Sequence, residues 1–272
     1  MKNNTFNSRR FWQVLKWTVI SEKKSILTAF VALTVAFLAI QLFSCFTIFD
    51  LSHGLGSEAT YAGMGVCTAL IGFMGAYYDS GVLGNARTSR QRATALMLPA
   101  SNLEKFTARI VYCCLIMLAL LYVAVLTATG VRMLLELIAG HQDIVSGLSM
   151  LTGLEMDGSE MEISFFTYLA FTCWFSSLFI LGGVFFSKRP FVWTNVTLFV
   201  GTLLLFTLFF YIATWIGEDN LKRFFMNFKG MSIETFELIA DLVLTAFTVL
   251  NIWISYRLFC RLQIVQHKWF NV

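Results

Sequence analysis

The chain has 272 residues and a net charge of +4, and 57% of its residues are hydrophobic whereas only 13% are charged. A soluble domain carries about twice that share of charged residues, so the composition excludes an ordinary soluble protein and indicates a membrane protein. The basic excess does not indicate nucleic-acid binding, because anionic lipid and the rule that orients membrane proteins both favour cytoplasmic Lys and Arg.

Six apolar segments each have about the length that crosses 30 Å of hydrocarbon as a helix. They comprise residues 26–49, 59–78, 106–129, 164–186, 191–216 and 237–256. The sequence therefore predicts an all-α integral membrane protein with six transmembrane helices. The connections are too short to hold a second folded unit, so we expect a single transmembrane domain over residues 1–272.

Basic residues are divided unequally between the two sides of these segments. Sixteen of the twenty Lys and Arg residues, with only three acids, belong to residues 1–25, the second and fourth connections, and the tail 257–272. The opposite side has four basic residues and thirteen acids. Because Lys and Arg near span ends stay in the cytoplasm, we predict a multi-pass protein of the cytoplasmic membrane with both termini cytoplasmic.

Residues 1–25 have the pattern of a cytoplasmic amphipathic segment. On a helical wheel Phe11, Leu15 and Val19 share one face, and basic residues share the opposite one. A helix with this pattern and with Trp is typical of the membrane interface, so we predict an interfacial helix lying on the inner leaflet before the first span. The alternative is a plain basic anchor that only orients the chain.

The second span has small residues at spacings of three and four along one face. They are Ala62, Gly65, Ala69, Gly72 and Ala76. Small residues let two helices approach closely in a bilayer, so we predict a helix-packing face here. Its partner could be a helix of the same chain or a second subunit, and a substrate route is a further alternative.

The second connection contains the strongest local signal. Residues 79–109 read DSGVLGNARTSRQRATALMLPASNLEKFTAR. Ser101 and Glu104 have the spacing of a capping box, which predicts that the third helix begins at about Asn102. Pro99 disfavours helix at the residue before it. We predict a short, rigid helical element on the cytoplasmic surface, and the alternative is a charged loop that only satisfies topology.

In this connection the chain resembles the membrane-spanning subunits of ABC-2 type ABC transporters. Asp79, Gly81 and Val82 stand where that family has an acid and a Gly-Thr pair. The leucine-proline stretch of the family matches residues 96–101, and Arg109 takes the place of its usual lysine. The resemblance implies a permease with a cytoplasmic coupling element between spans two and three.

The same resemblance implies partners. It implies an exporter in which two membrane subunits, identical or different, work with a separate ATP-binding subunit that docks on the coupling element. The coupling residues implied are Asp79, Arg87, Arg90, Arg92, Leu96 and Pro99.

No GxxxxGK[ST] phosphate loop occurs in the sequence, so ATP hydrolysis is expected in the partner. We predict that this chain is not an enzyme and holds no cofactor and no metal, since no catalytic or metal-ligand spacing is present. A non-transporting membrane scaffold or assembly factor is the alternative function.

Polar residues inside the spans are typical of a transport route. Those predicted to line one are Gln41, Asp241, Thr245 and Thr248. Packing within the bundle is the alternative, because Thr hydroxyls also bond to carbonyls of their own helix. Arg132 and Glu136 are predicted to form a local ion pair. Residues 217–236 carry an aromatic face that fits either a re-entrant helix or an interfacial cap.

Overall fold

The computed structural model describes residues 6–48, 57–83, 97–138, 165–217 and 233–261, and these are almost entirely helical. The helices are α1 (Ser8–Ile48), α2 (Ser57–Asp79), α3 (Asn102–Ile110), α4 (Met117–Ile138), α5 (Phe165–Phe185), α6 (Pro190–Ile216) and α7 (Ile233–Cys260). A π-helical segment, Val111–Ile116, joins α3 to α4. The predicted all-α class is confirmed.

Five stretches of helix are long and apolar enough to cross a membrane. They are Ser8–Ser44, Asn102–Ile138, Phe166–Phe185, Pro190–Ile216 and Thr235–Cys260. The five coincide with the first, third, fourth, fifth and sixth predicted spans. The second predicted span coincides with α2, which has 23 residues but is not among the five. A span count of six therefore stays a prediction.

Helix α1 differs from the prediction of a separate interfacial helix. It runs without a break for 41 residues, which corresponds to about 60 Å, or roughly twice the thickness of the hydrocarbon. Its sequence contains neither Pro nor Gly, the residues that interrupt helices. The amphipathic segment is therefore a direct continuation of the first span rather than a separate helix, and its location at the membrane interface stays a prediction.

The apolar face of this segment is covered by protein. Val14, Leu15 and Thr18 are buried, and α1 packs along α3, whose Phe106 and Ala108 are also buried. Of the described basic residues of this segment, Arg9, Lys16, Lys23 and Lys24 are exposed, whereas Arg10 is partly buried. The N-terminal parts of α1 and α3 thus form a packed helix pair.

The contacts of the chain define two compact units. Unit 1 comprises residues 1–78 and 99–161, and unit 2 comprises residues 79–98 and 162–272. The chain therefore passes from one unit to the other at both ends of the segment 79–98, and again at residue 162.

The core of unit 1 is built from α1, α2 and α4. It comprises Phe37, Met64, Cys67, Ile71, Leu121, Ala124, Val125 and Ala128. The close approach of α1 and α2 depends on Gly63, because a Cβ added there would lie 3.1 Å from the Cβ of Ser44.

In unit 2, α5 packs against both α6 and α7. Phe179, Ile180 and Val184 of α5 are buried. Across the contact with α7, the Asn251 side-chain amide donates to Ser177 Oγ at 3.0 Å, and both residues are buried. An interhelical hydrogen bond of this kind fixes which faces of the two helices meet.

Candidate functional site

Glu104 lies in the first turn of α3, just before the apolar stretch that begins at Phe106. The Ser101 backbone N–H donates to Glu104 Oε2 at 2.9 Å, and the Glu104 N–H donates to Ser101 Oγ at 3.2 Å. The predicted capping box and helix start at Asn102 are both confirmed. A negative charge in a first turn also interacts favourably with the helix dipole.

The same carboxylate binds the N-terminal end of α1. The Asn7 backbone N–H donates to Glu104 Oε1 at 2.8 Å, and the Arg10 guanidinium lies 3.3 Å from that oxygen. The Glu104 side chain is 0% exposed, whereas that of Arg10 is 42% exposed. We call Asn7, Arg10, Ser101 and Glu104 the Glu104 clamp, because together they hold the beginnings of α1 and α3 in one place.

Burial of the Glu104 carboxyl would by itself raise its pKa. The hydrogen bonds from the backbone N–H groups of Ser101 and Asn7, the charge of Arg10 and the Ser101 hydroxyl outweigh this effect, and the pKa of Glu104 lies below its ordinary value. The group is therefore an ionised carboxylate at neutral pH. Charge-assisted hydrogen bonds are shorter and stronger than neutral ones, so the clamp is a firm attachment.

The segment predicted to couple to a partner begins and ends in described residues. Asp79 is buried in unit 2, and Pro99 is exposed in unit 1. Arg87, Arg90, Arg92 and Leu96 lie outside the described residues. Their predicted contact with a partner therefore stays a prediction.

The beginning of this segment is held tightly in unit 2. Ser80, Val82 and Leu83 are buried, and the Val82 N–H donates to the Asp79 carbonyl at 3.3 Å. A Cβ added to Gly183 of α5 would lie 2.5 Å from the Ser80 carbonyl oxygen. Only glycine allows this approach, so the turn at residues 79–83 is seated directly on the α5 backbone.

A second polar group is buried in the core of unit 1. Gln41 is 3% exposed, and its Nε2 donates to Thr129 Oγ1 at 3.1 Å and lies 3.4 Å from Met64 Sδ. Gln41 Oε1 is buried and has no hydrogen-bond partner among the described residues. Gln41 was predicted to line a route; the structure places it between three packed helices.

One turn further along α4, an ion pair is buried. Arg132 and Glu136 lie 3.3 Å apart, with side chains 1% and 9% exposed, which confirms the predicted pair. Arg132 Nη1 also donates to Thr60 Oγ1 of α2 at 3.0 Å. Sequence spacing could indicate the pair but not its burial or its bond to α2. We call Gln41, Thr60, Thr129, Arg132 and Glu136 the polar cluster.

The remaining residues predicted to line a route lie in α7 of unit 2. The Thr245 hydroxyl donates to the Asp241 carbonyl at 2.7 Å, and the Thr248 hydroxyl donates to the Leu244 carbonyl at 2.8 Å. Both hydroxyls therefore bond to their own helix. Asp241 Oδ1 is buried without a hydrogen-bond partner in the described part of the chain. Thr245 is exposed and Thr248 is partly buried, so a role of the two threonines in a route stays a prediction.

The small-residue face of α2 is mostly unpacked in the structure. Ala62, Gly65, Ala69 and Gly72 are exposed and only Ala76 is buried. A Cβ added to Gly65 or Gly72 would meet no atom within 4 Å. The opposite face, which includes Gly63 and Met64, carries the packing instead. Within the described part of unit 1, this face thus has no partner helix.

The described helices define the class of this protein as an all-helical, multi-pass membrane protein. Among the residues that the structure describes, no group of three His, Cys, Asp or Glu side chains is arranged to hold a metal ion. In comparisons with protein-family models, with curated proteins and with solved structures, nothing matches this chain.

Proposed function

We propose that the chain is the membrane-spanning subunit of an ABC-2 type transporter with six spans and cytoplasmic termini. It works in the cytoplasmic membrane with a second membrane subunit and a separate ATP-binding subunit, and it exports its substrate. The observation that carries the proposal is the Glu104 clamp, because it attaches α1 to the point where the cytoplasmic segment 79–98 enters the third span.

A transporter of this kind needs a segment through which an ATPase can move the spans. Segment 79–98 meets this need because the chain passes between units 1 and 2 at both of its ends. Its beginning is seated on Gly183 in unit 2, and its end continues through Ser101 into α3 in unit 1. A force on this segment therefore acts on both units.

The clamp would extend that force to the first span. If α3 moves, the ionised Glu104 carboxylate draws Asn7 and Arg10 with it, since each hydrogen bond to a charged group contributes about 1.5–3 kcal/mol. Because α1 continues without a break into the membrane, displacement of its N-terminal end changes the position of the whole helix. The proposed mechanism is that closure of the ATPase moves α3 and α1 together and opens a route.

The experiment reverses the charge of the segment itself. In Arg90→Glu/Arg92→Glu we expect loss of the ATP-binding subunit during purification, with unchanged insertion and thermal stability. The matched control is Lys188→Glu/Arg189→Glu, which makes the same charge change in the other cytoplasmic connection and should retain the subunit. Retention in both variants, or loss in both, would contradict a specific contact at residues 90 and 92.

A further inference from the structure

The helix of the third span changes its hydrogen-bonding pattern over the six residues Val111–Ile116. The Met117 N–H bonds to the Tyr112 carbonyl, five residues back, rather than to the carbonyl four residues back. This is the pattern of a π-helix, which accommodates one extra residue in a wider turn and is often found where helices bend. Leu115 is 63% exposed, whereas Tyr112 and Cys113 are buried.

Beyond this segment, α4 is fixed in the core of unit 1. Leu121, Ala124 and Val125 are fully buried in the cluster that includes Phe37 of α1. The hydrogen bond from Gln41 to Thr129 adds a polar contact to the same helix pair. The part of the third span that follows the π-helical segment is therefore held against α1 by these contacts.

Before this segment, α3 is fixed to the N-terminal part of α1. The Glu104 clamp joins the first turns of the two helices, and α3 packs along α1. Between this contact region and Phe37 of the core, residues 19–36 of α1, which include residues 23–28, have no buried side chain. Helix α1 thus has no buried side chain alongside the segment where the third span changes its helix type, although the two are in contact.

We propose that Val111–Ile116 is a hinge in the third span. The inner body consists of α3 and the N-terminal part of α1, held together by the Glu104 clamp, and it bends as one piece relative to α4. Helix α1 bends with it over the poorly packed residues 23–28. The inference rests on the helix geometry and holds whether or not an ATP-binding subunit drives the motion, so it is tested without any partner.

The test measures distances between spin labels along a helix by pulsed electron paramagnetic resonance. One pair replaces the exposed residues Leu103 and Val123, on either side of the hinge, and the control pair replaces the exposed residues Val192 and Ile212 of α6. Both pairs span about 30 Å of helix. The labels are carried on an unnatural amino acid so that the native cysteines remain.

We expect the distance distribution across the hinge to be about twice as wide as that of the control pair, because a bend changes the end-to-end distance of the helix. Equal widths in the two pairs would overturn the proposal. Because both labelled residues are exposed, the labelled chain should keep its fold. The comparison of the two widths therefore tests the hinge without any further variant.

A deletion provides the second arm. Removing the exposed Leu115 should convert the π-helical turn into a regular one while both flanking helices keep their contacts, and the distribution should narrow to the control width. Removing the exposed Ala119 of α4 instead rotates every later residue of that helix and should abolish the folded state. An unchanged width after deletion of Leu115, or loss of the folded state there as well, would count against the hinge.

Discussion

The backbone N–H of Asn7 donates to Glu104 Oε1 at 2.8 Å, although 97 positions separate the two residues in the sequence. This bond, with the Arg10 ion pair on the same oxygen, makes the beginning of the chain part of the attachment of the third span. The capping role of Glu104 is local, and its bond to Asn7 is tertiary. One carboxylate therefore serves two helices.

Replacing Glu104 by Gln should release the N-terminal part of α1. The substitution keeps the shape of the side chain but removes the charge that Asn7 and Arg10 contact, which should weaken their attachment by about 1–3 kcal/mol. The measurement is the rate of trypsin cleavage at Arg9 and Arg10, which should rise roughly tenfold or more. Replacing the neighbouring exposed Asn102 by Ala should leave the rate unchanged, and equal rates in both variants would contradict the clamp.

The clamp should also depend on pH in a defined direction. Because the pKa of Glu104 in the folded chain lies below the ordinary value of 4.5, its stabilising effect is complete above about that pH and is lost as the pH falls through the lower folded value. The amides of residues 7–10 should lose protection against hydrogen exchange as the pH falls below about 5. The exchange rates are first corrected for the intrinsic effect of pH. Glu104→Gln should lack this loss, and an identical pH profile in the variant would refute the assignment.

The sequence predicts individual helices of this protein better than the contacts between them. The fourth span, predicted at residues 164–186, is the helix Phe165–Phe185, because a long apolar run between polar connections has few alternatives in a membrane. The capping box is likewise local, since Ser101 and Glu104 are three residues apart. Its bond to Asn7 could not be read from spacing, because nothing local links the two positions.

The sequence also could not predict which face of α2 packs in the core. The reason differs from that for the bond between Glu104 and Asn7. In a bilayer both faces of a helix are apolar, so hydrophobicity does not distinguish the core from the lipid. Small residues occur on both faces, with Gly63 towards Ser44 and Gly72 in open space. The continuity of α1 was missed because its polar residues 21–25 resemble the end of a helix, although they contain no helix-breaking residue.

The two faces of α2 should respond differently to a large side chain. Gly63→Leu should strongly destabilise unit 1, because even a Cβ at this position lies 3.1 Å from Ser44. Gly72→Leu should leave the thermal stability of the monomer in detergent unchanged, because no atom lies within 4 Å of its Cβ. If only Gly72→Leu lowers the stability, the face of α2 with Gly72 packs against another helix, and this account of α2 is contradicted.

Removing one partner of the buried ion pair should lower the stability of the protein more than removing both partners. Glu136→Gln leaves the Arg132 charge buried without its carboxylate partner, which costs roughly 3–5 kcal/mol. In Arg132→Met/Glu136→Leu no charge remains, so we expect a smaller loss of stability than in the single variant. The free energy of unfolding in mixed detergent measures both, and a double variant less stable than Glu136→Gln would contradict this account of the polar cluster.

The proposed function is tested most directly by what accompanies the chain in its native membrane. The protein should be purified in mild detergent from its own host, and every partner recovered in stoichiometric amount should be identified. We predict a subunit that carries a GxxxxGK[ST] phosphate loop and whose ATPase rate changes when this chain is bound. Repeated recovery of the chain alone, or only with partners that lack an ATPase, would contradict the transporter assignment and favour a membrane scaffold.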